Sequence, residues 1–483
     1  MNRMFVSILL NVSEYDYSIS TVLQIEAIFT PNSSSFSSIF QAYIRNLRFN
    51  TSTTQKPFLI VTAFHVSHVQ ASVICAKRHD LLMKIRSGGH GYEGVSYVAA
   101  QPFFLLDMFN LRSIEVNMDT ETAWVEAGAT LGEVYYRIAE KSEVHGFPAG
   151  VGPTVGVGGR ISGGGYGNLM RKYGTSVDNV VDAQVVDVQG RLLNRSSMGE
   201  DLFWAIRGGG GGSFGVVLVY KIKLVRVPER ATVFQVERTL EQDATNIVYN
   251  GINNDLFIRL ILETTELRPT KGVNSLQQRD ESRLKFEEVS IFSDQQCLEQ
   301  NYLQQKIIKT VRATFIALFL SDSKTLVSVM EERMAENPST ETAFPHRAGN
   351  LWMIQYKADR YETGQEVAKY YINLVRDLHK YMTPFVSQNL RQAFMCYKDL
   401  DLGINHHNVY GYFEGSSYGV QYFHDNFKRL VQIKTRVDPA NFFRTEQSIP
   451  VLSHAELVRM VTEKSIVPIL FGLFALNWIR TFK

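Results

Sequence analysis

Residues 86–94 read RSGGHGYEG, with a histidine directly after two glycines and a tyrosine two residues beyond it. A glycine backbone can approach a ligand closely and can take positive φ values, because no side chain stands in the way. A single histidine is more often structural than functional. The glycines around His90, however, favour a ring that is exposed to a ligand, and a neutral imidazole nitrogen is a competent nucleophile or base.

The residues before this histidine predict a strand, a helix and a second strand. KPFLIVTA (56–63) is an apolar, strand-like run, SHVQASVICAKRHD (67–80) is a helical pattern that opens with a Ser-x-x-Gln capping box, and LLMKIRSGGH (81–90) is a strand that runs into the glycines. Ligands of open α/β structures bind where loops leave the carboxyl ends of the strands. His90 is therefore predicted to face a ligand crevice.

The pattern further along the chain predicts a mixed α+β domain. Two short strands around an Asp-Thr-Glu turn (113–128), a capped helix (130–142), a hairpin (179–194) and a half-buried strand (216–225) are expected in turn. Together with the first three elements they form one domain, which contains every glycine-rich segment of the sequence.

The pattern changes over residues 230–390. Strands are predicted at 255–266, 311–320 and 351–358, and helices at 323–338 and 364–382. The segment 272–305 is polar and has no clean period, so no element is predicted there.

Two further glycine-rich segments, VGPTVGVGGRISGGGYG (151–167) and RGGGGGSFG (207–215), indicate a large ligand against this backbone. Three such segments in one domain favour an extended, phosphate-bearing ligand such as a dinucleotide. No P-loop motif occurs in the sequence. A G-x-G-x-x-G match begins at Gly210, but a helical pattern precedes it and a strand follows it, which is the reverse of a Rossmann turn. A Rossmann NAD site is therefore rejected.

Composition and charge exclude several classes of protein. The chain has 483 residues, of which 45% are hydrophobic and 20% charged, as is ordinary for a globular protein. A net charge of +2 gives no electrostatic basis for binding nucleic acid. Cys75, Cys297 and Cys396 are too far apart for a zinc finger or a disulfide framework, and no metal site is predicted. An aromatic share of 12% fits either a large core or an aromatic-lined pocket.

Both ends of the chain carry apolar runs. Residues 4–10 form a weak signal peptide with one basic residue before them. Four glycosylation sequons, which matter only on a secretory route, begin at Asn11, Asn32, Asn50 and Asn194. The run SIVPILFGLFALNWI (465–479) is shorter than the roughly 20 residues of a membrane-spanning helix. A buried tail helix is favoured over a membrane anchor.

Long motifs across the chain carry a family resemblance. They are RSGGHGYEGVSY, GPTVGVGGRISGGGYGNLMRKYG, EDLFWAIRGGGGGSFGVV, FPHRAGNLWMIQY, YKDLDLG and NFKRLVQIKTRVDPANFFRTEQSIP. The chain resembles the plant berberine bridge enzyme-like flavoproteins, which belong to the class with the vanillyl-alcohol-oxidase (PCMH) type of FAD-binding fold. The resemblance covers roughly residues 35–265, 307–330 and 342–450.

The resemblance implies an α+β fold in which an N-terminal part and a C-terminal segment form the FAD-binding domain, with an antiparallel-sheet substrate domain between them. The expected parts are a leader (1–55), the FAD-binding domain (56–229), the substrate domain (230–390), a C-terminal segment with an active-site tyrosine strand (391–450) and a tail (451–483). The substrate domain is shorter than in relatives. A diverged protein and a misassembled gene model are both compatible with this difference.

The resemblance also implies FAD bonded through its 8α carbon to His90. The remaining residues expected to bind the cofactor are Arg86, Ser87, Gly88, Gly89, Gly91, Gly152, Thr154, Val155, Gly158, Gly159, Ser162, Gly163, Gly164, Gly167 and Asn441. Relatives attach FAD a second time through a cysteine in a GVCPTVGVGGH-like segment. This chain has Gly152 at the place of that cysteine and Arg160 at the place of the histidine. A single attachment, through His90 alone, is expected.

The expected catalytic residues are also implied by the family. Tyr92, Tyr166 and Tyr397 match tyrosines that surround the substrate, and Gln355 fits a polar position on the strand LWMIQY. Met353 stands where many relatives have a lysine or an acid. A lysine cation beside Tyr397 would lower the pKa of its phenol by favouring the phenolate, which methionine cannot do. Tyr397 is therefore not expected to be an efficient base.

The leading hypothesis is an FAD-dependent oxidase of alcohols, either monolignol-like allylic aromatic alcohols or carbohydrates. Tyr397 would take the hydroxyl proton while the hydride passes to flavin N5. Val155 matches a position that controls oxygen access in the family, and valine there resembles the oxidase members, so hydrogen peroxide is the expected by-product. A monomer secreted to the cell wall is expected, with a small-molecule substrate and molecular oxygen as its partners.

Two alternatives stay open. A flavin-binding protein without catalysis, or a truncated product, is favoured by Gly152, Met353 and the shortened substrate domain. An NAD dehydrogenase is supported only by the single glycine match at Gly210. The substrate cannot be named from the sequence, because substrate choice lies in the region that departs most from the family.

Overall fold

The computed structural model describes residues 27–229, 233–239, 258–264, 282–289, 312–313, 338–347, 364–385, 391–407, 411–453 and 456. Gln355 and Met353, most of the expected leader and the apolar run at 465–479 lie outside these ranges, as do the predictions made for them. Within the ranges, no helix has the length and apolar character needed to cross a membrane.

Strands and helices are mixed along the described chain. The strands are β1 Ile28–Phe29, β2 Ile60–Thr62, β3 Leu82–Arg86, β4 Phe103–Asp107, β5 Ile114–Asn117, β6 Thr122–Glu126, β7 His145–Gly146, β8 Val180–Val186, β9 Leu192–Leu193, β10 Val216–Lys223, β11 Val225–Arg226, β12 Val233–Thr239, β13 Ile258–Thr264, β14 Ser282–Val289 and β15 Arg312–Ala313. The helices are α1 Phe36–Gln41, α2 Val66–Arg78, α3 Leu131–Ala139, α4 Val157–Ser162, α5 Met170–Tyr173, α6 Arg195–Ile206, α7 Gln365–Met382, α8 Gly411–Phe423 and α9 Asn426–Val437. The predicted α+β class is confirmed.

A four-stranded sheet with the order β1-β2-β4-β3 carries the loop that contains His90. β4 lies between β2 and β3 and runs parallel to both. Every residue of β4 is buried, because a strand in the middle of a parallel sheet is covered on both faces. The predicted strand, helix and strand are present as β2, α2 and β3. The predicted capping box is wrong, since α2 begins at Val66 and its N-cap residue, His65, makes no side-chain cap bond.

A five-stranded antiparallel sheet with the order β5-β6-β10-β8-β9 forms a second layer. β10 pairs with β6 and β8, and its residues alternate between buried and less buried positions, as its sequence predicts. Val216 and Leu218 of β10 share one buried cluster with Val61 and Phe104 of the first sheet. The two sheets therefore belong to one domain with a common core.

Helix α3 fixes the second glycine-rich segment to this core. Its N-terminus has the predicted capping box, in which Glu133 Oε2 accepts from the Thr130 backbone nitrogen at 2.9 Å. A cap of this kind stabilises a helix by about 1 kcal/mol. The Leu131 nitrogen then donates to the Val155 carbonyl at 2.9 Å, so the start of the helix holds the glycine-rich chain that passes it.

The C-terminal helices α8 and α9 pack into the same domain. Tyr418 and Leu430 share a buried cluster with Tyr220 of β10. Lys434 of α9 is fully buried, and its ammonium group donates to the Ser213 carbonyl at 2.7 Å while pairing with the aspartate four residues further on at 2.6 Å. These contacts bring the C-terminal segment onto the N-terminal part, as the resemblance implies.

A four-stranded antiparallel sheet with the order β12-β14-β13-β15 is described between the two parts. β13 and α7 confirm the strand and helix predicted at 255–266 and 364–382. β14 lies in the polar segment 272–305, for which the sequence predicts no element, and pairs with both β12 and β13. The predicted strands at 311–320 and 351–358 and the predicted helix at 323–338 fall largely outside the described residues.

Candidate active site

The loop after β3 is held by contacts between glycine backbones. A Cβ at Gly88 would lie 2.3 Å from the Gly156 nitrogen, and a Cβ at Gly156 would lie 2.2 Å from the Gly88 nitrogen. Gly89 has φ +66°, and a side chain there would strike the Tyr43 carbonyl. The turn itself therefore requires glycine at these positions.

His90 lies at the end of this turn with its ring partly exposed. Its Nε2 is 3.0 Å from Thr154 Oγ1, so the first and second glycine-rich segments meet at the histidine. Ser87 Oγ donates to the Ala127 carbonyl at 2.6 Å and fixes the loop to the chain that leaves β6. These contacts orient the imidazole, which a ring that is to react with a ligand requires.

Arg86, predicted to bind the cofactor, has a side chain that is fully buried. Its guanidinium lies 2.5 Å from a carboxylate oxygen of Asp107 and donates to the carbonyls of Ile39 at 2.8 Å and Phe40 at 2.7 Å. A side chain with no exposed surface and with its donors in use has nothing to offer a ligand. Arg86 joins β3 to β4 and α1 instead.

The predicted cofactor-binding glycines fall into two groups by what surrounds them. A Cβ would strike protein atoms at Gly88, Gly89, Gly158, Gly163, Gly164 and Gly167. Gly91 and Gly159, by contrast, have no heavy atom within 4 Å of the Cβ position. Open space at these two positions leaves room for a ligand against the backbone, whereas the first group is required by the packing of the protein itself.

The third glycine-rich segment, 207–215, serves internal packing. A Cβ at Gly208 would strike the Phe344 backbone, and one at Gly210 would lie 2.1 Å from the Met395 methyl group. Both glycines also have positive φ, +107° and +103°. The expectation that all three glycine-rich segments clear space for a ligand therefore does not hold for these glycines.

Ser162, Gly152 and Val155 differ in their surroundings. Ser162 is buried, and its hydroxyl donates to the Gly158 carbonyl at 2.6 Å and lies 2.9 Å from the hydroxyl of Tyr220. Gly152 and Val155 form a turn in which the Val155 nitrogen donates to the Gly152 carbonyl at 3.2 Å. A Cβ at Gly152 would meet only the Val155 methyl group, at 3.0 Å.

Asn441 follows α9 in the left-handed conformation, with φ +51°. The Nε2 of His407 donates to the Thr445 carbonyl at 2.9 Å, so its Nδ1 accepts from the Asn441 amide nitrogen at 3.2 Å. Burial lowers the pKa of His407 to about 4 and keeps the ring neutral. The amide oxygen of Asn441 is then buried with no hydrogen-bond partner among the described residues. A donor group on a bound cofactor would satisfy it.

Tyr397 lies at the centre of an aromatic cluster. Its hydroxyl oxygen is 2.5 Å from that of Tyr166, and Tyr92 stacks on its ring with 5.2 Å between centroids and 24° between planes. Phe394 packs edge-on against Tyr397 and Tyr166, at 5.2 and 5.4 Å between centroids. The structure thus brings the three predicted tyrosines to one place. Because Tyr92 is two residues from His90, this place adjoins the histidine loop.

The surroundings of Tyr397 act on its phenol in opposite directions. Burial raises the pKa of Tyr397, and the phenols of Tyr166 and Tyr92 raise it further, whereas Arg160 lowers it. Arg160 is 8% exposed, and its guanidinium carbon lies 4.7 Å from the centroid of the Tyr166 ring. The sequence marks Arg160 only as a departure from the family. The signal that could have found it is a charged residue in an otherwise small and apolar helix.

The arrangement fits a large cofactor with hydrogen-bonding edges. It offers open space at Gly91 and Gly159, an oriented imidazole at His90 and an unsatisfied amide oxygen at Asn441. The phenols of Tyr166 and Tyr397, which could move a proton, lie beside the histidine loop. No group of side chains suited to a metal ion occurs in the part of the chain that the structure describes.

Comparison with known proteins agrees with this arrangement. The family described as "FAD binding domain" matches residues 57–196, and "Berberine and berberine like" matches residues 393–450. Berberine bridge enzyme-like 8 of Arabidopsis thaliana is 49% identical over 88% of this chain and 92% of its own. Tetrahydroberberine oxidase of Berberis wilsoniae is 42% identical over 88% and 91%. The crystal structure of Phl p 4, a grass pollen allergen with glucose dehydrogenase activity, has a TM-score of 0.75 at 32% identity, over 93% and 100%.

Fold, site and relatives together define an FAD-dependent oxidoreductase with a PCMH-type FAD-binding domain. Within that class, the chain belongs to the berberine bridge enzyme-like family. The predicted family, fold and use of FAD are confirmed. The hypothesis of an NAD dehydrogenase is left without support, because the single glycine match at Gly210 lies in a segment used for internal packing.

Proposed function

We propose that the protein oxidises the CH–OH group of a monolignol-like allylic alcohol or a carbohydrate and passes the electrons to oxygen. The observation that carries the proposal is the 2.5 Å contact between the hydroxyls of Tyr166 and Tyr397, beside the loop of His90. A substrate hydroxyl that must lose its proton needs such an acceptor in a site shielded from water. One relative is a tetrahydroberberine oxidase and another a glucose dehydrogenase, which supports oxidation of a carbon–hydrogen bond.

The side chains of this site account for the proton of the reaction. The phenolate form of Tyr397 takes the proton of the substrate hydroxyl and becomes a phenol, and before that step the hydroxyl of Tyr166 stabilises the phenolate by donating to its oxygen. The stacked ring of Tyr92 and the edge of Phe394 keep water from the pair. Bound FAD would supply the two-electron acceptor for the hydride of the alcohol carbon, and His90, Gly91, Gly159 and Asn441 would hold it. The overall reaction converts the alcohol and oxygen into a carbonyl product and hydrogen peroxide.

We also propose that His90 is the single covalent attachment of FAD. Its ring is oriented by Thr154 next to the open space at Gly91. Gly152 offers no thiol for a second bond. Burial raises the pKa of Cys75 to about 11, which leaves that thiol protonated in the core.

Oxygen as the acceptor, secretion and a monomeric state complete the proposal. Val155 follows Gly152 in the turn beside the histidine loop, and the small valine leaves room for oxygen. Secretion is supported by the sequons at Asn32 and Asn50, since both asparagines are exposed and so accessible to glycosylation.

The proposal is tested with protein from a secretory host. Coniferyl alcohol and glucose are mixed in turn with the flavin-loaded protein without oxygen, and the absorbance of oxidised flavin is followed. Bleaching by one of them, followed by peroxide release when air is admitted, is the expected result. Coniferyl alcohol methylated on its allylic oxygen is the control, because the reacting CH–O group then has no hydroxyl proton to give. Flavin that stays oxidised across a broad panel of alcohols would instead support the second hypothesis, a flavin-binding protein without catalysis.

A further inference from the structure

Arg160 is a buried cation without a carboxylate partner. It is 8% exposed, and no carboxylate of the described residues lies within ion-pair distance of its guanidinium. It donates to the Tyr166 carbonyl and lies over the ring of the same tyrosine, while its Nε has no hydrogen-bond partner among the described residues. Burying a charge without a counter-ion costs folding free energy. The groups around Arg160 therefore indicate which function could justify this cost.

The groups that face Arg160 are three phenols and a thiol: Tyr135, Tyr166, Tyr397 and Cys396. The phenol of Tyr135 donates to the Gly150 carbonyl at 2.5 Å, so its proton is already in use. The thiol of Cys396 donates to the Arg160 carbonyl at 3.7 Å, so its proton is also in use. The Tyr166–Tyr397 pair is therefore where a negative charge can develop next to the guanidinium.

The other cations of this region have other partners. Lys398 follows Tyr397 directly, but burial lowers its pKa to about 8, and the groups that act on it are Glu446, Lys84 and Cys396 rather than the phenols. Lys84 in turn pairs with Glu446 at 2.8 Å. Among the described residues, Arg160 is thus the cation directed at the phenol pair.

The chain makes room for this guanidinium at Gly150. A Cβ at Gly150 would lie 2.9 Å from one terminal nitrogen of Arg160 and 3.0 Å from its central carbon. A methyl group there would displace the charge without removing it. A substitution at Gly150 can therefore test the position of the guanidinium while Arg160 keeps its charge.

We propose that Arg160 is a positioning residue that supplies, from the FAD-binding domain, the positive charge that a lysine at the position of Met353 would provide. It holds Tyr166 through its carbonyl and ring, and it stabilises the Tyr397 phenolate that accepts the proton of the substrate hydroxyl. The inference rests on the proposed function and adds Arg160 to the residues that carry it out. It also removes the reason for regarding Met353 as a sign of lost activity.

A double-mutant cycle tests whether Arg160 acts through Tyr397. The rate of flavin reduction by the alcohol is compared for the parent, Arg160→Met, Tyr397→Phe and the double variant, each at matched flavin occupancy. Arg160→Met is expected to slow reduction on the order of tenfold or more, Arg160→Lys to restore most of the rate, and Arg160→Met to add nothing once Tyr397 is phenylalanine. Gly150→Ala is expected to slow reduction in the same way. Equal loss from Arg160→Met in both backgrounds overturns the proposal, because a merely structural role is additive.

A second measurement needs no substrate and so separates this inference from the proposed function. A trifluorotyrosine, whose phenol ionises near neutral pH, is incorporated at Tyr397 and titrated by ¹⁹F NMR. Its midpoint is expected to rise by about one pH unit or more in Arg160→Met and to stay near the parent value in Arg160→Lys. Equal midpoints in all three proteins, or a phenol that remains protonated in the parent up to pH of about 10, overturn the inference even if the enzyme oxidises alcohols. A shifted midpoint in a protein that reduces no alcohol would uphold Arg160 and defeat the proposed function.

Discussion

The hydroxyl oxygens of Tyr166 and Tyr397 lie 2.5 Å apart, although 231 residues separate the two tyrosines in the chain. Tyr166 follows α4 in the N-terminal part, and Tyr397 lies in the C-terminal segment. The pair exists only because α8 and α9 pack into the core of the FAD-binding domain. The groups proposed to handle the proton therefore come from the two sides of residues 230–390 in the chain.

Replacing Tyr397 with phenylalanine removes the proton acceptor but keeps the ring that stacks on Tyr92. The rate of flavin reduction is expected to fall about 100-fold or more, because general-base catalysis typically contributes this much, while substrate affinity changes little. Stopped-flow reduction without oxygen gives both quantities. Tyr136→Phe, on an exposed tyrosine of α3, is the matched control and should leave the rate unchanged. A Tyr397→Phe enzyme as fast as the parent would falsify the assignment of the base.

Replacing His90 with alanine should release the flavin. Acid precipitation of the parent is expected to leave a yellow pellet, and that of His90→Ala a colourless pellet with free flavin in the supernatant. Thr154→Val, which removes the hydroxyl 3.0 Å from the ring, is expected to reduce the attached fraction rather than abolish it. Flavin that remains covalent in His90→Ala would show attachment elsewhere.

Replacing Val155 with isoleucine should separate oxidation of the alcohol from reaction with oxygen. The added methyl group narrows the space in the turn with Gly152. That space is small, because a Cβ added at Gly152 would lie 3.0 Å from a methyl group of Val155. Reoxidation by oxygen is expected to slow on the order of tenfold, with activity towards an artificial dye acceptor unchanged. Val155→Ala is the control that should keep or raise the oxygen rate. Equal oxygen rates in both variants count against oxygen control at this position.

Replacing Asp107 with asparagine tests the buried ion pair with Arg86. The variant leaves the guanidinium charge uncompensated in the core, which typically costs 3–5 kcal/mol, so about that loss of unfolding free energy is expected. Chemical denaturation of the flavin-free protein measures it. Asp401→Asn, which breaks an exposed pair with Arg376, should cost less than about 1 kcal/mol.

The lowered pKa of the buried His346 is expected to make the stability of the fold depend on pH. Burial lowers its pKa to about 4, and its ring is held by the Ala393 carbonyl at 3.0 Å. The unfolded chain then binds a proton at a higher pH than the folded protein does. The stabilisation is complete above a pH of about 6.5 and is lost as the pH falls towards 4, by about 3 kcal/mol in all.

His346→Gln should flatten this acid dependence, although it also lowers the stability at pH of about 7 by removing the ring contacts. Thermal unfolding at several pH values between 7 and 4 measures the slope. His65→Gln, on an exposed ring, serves as the control and should keep the parent slope. A variant with the parent's slope would show that other groups cause the acid sensitivity.

Local patterns predict the FAD-binding domain well. β2, α2 and β3, the capped helix α3 and the alternating strand β10 all arise from apolar periodicity and cap residues that act within a few positions of each other. The start of α2 is the exception, because the favourable Ser-x-x-Gln sequence lies inside a helix that begins at Val66, before Ser67.

Long-range relationships could not be derived in the same way. β14 reads as a polar segment, and only its pairing with β12 and β13 makes it a strand. The contact between Tyr166 and Tyr397 depends on packing across the whole chain, and the resemblance alone indicated it. The burial of Arg86 is likewise not visible in the sequence, because an arginine at the end of a strand looks the same whether its side chain faces a ligand or an aspartate on the next strand.

Because Gly88 and Gly156 are in mutual contact, the histidine loop and the second glycine-rich loop can change in sequence only together. A methyl group on either glycine requires the opposite backbone to retreat, and the opposite residue is already the smallest one available. No compensating substitution at the facing position can restore the fit. An exchange of loops between members of the family therefore has to transfer residues 86–94 and 151–160 together. A recombinant with a crossover between the two loops should fold only when both parents share this backbone spacing.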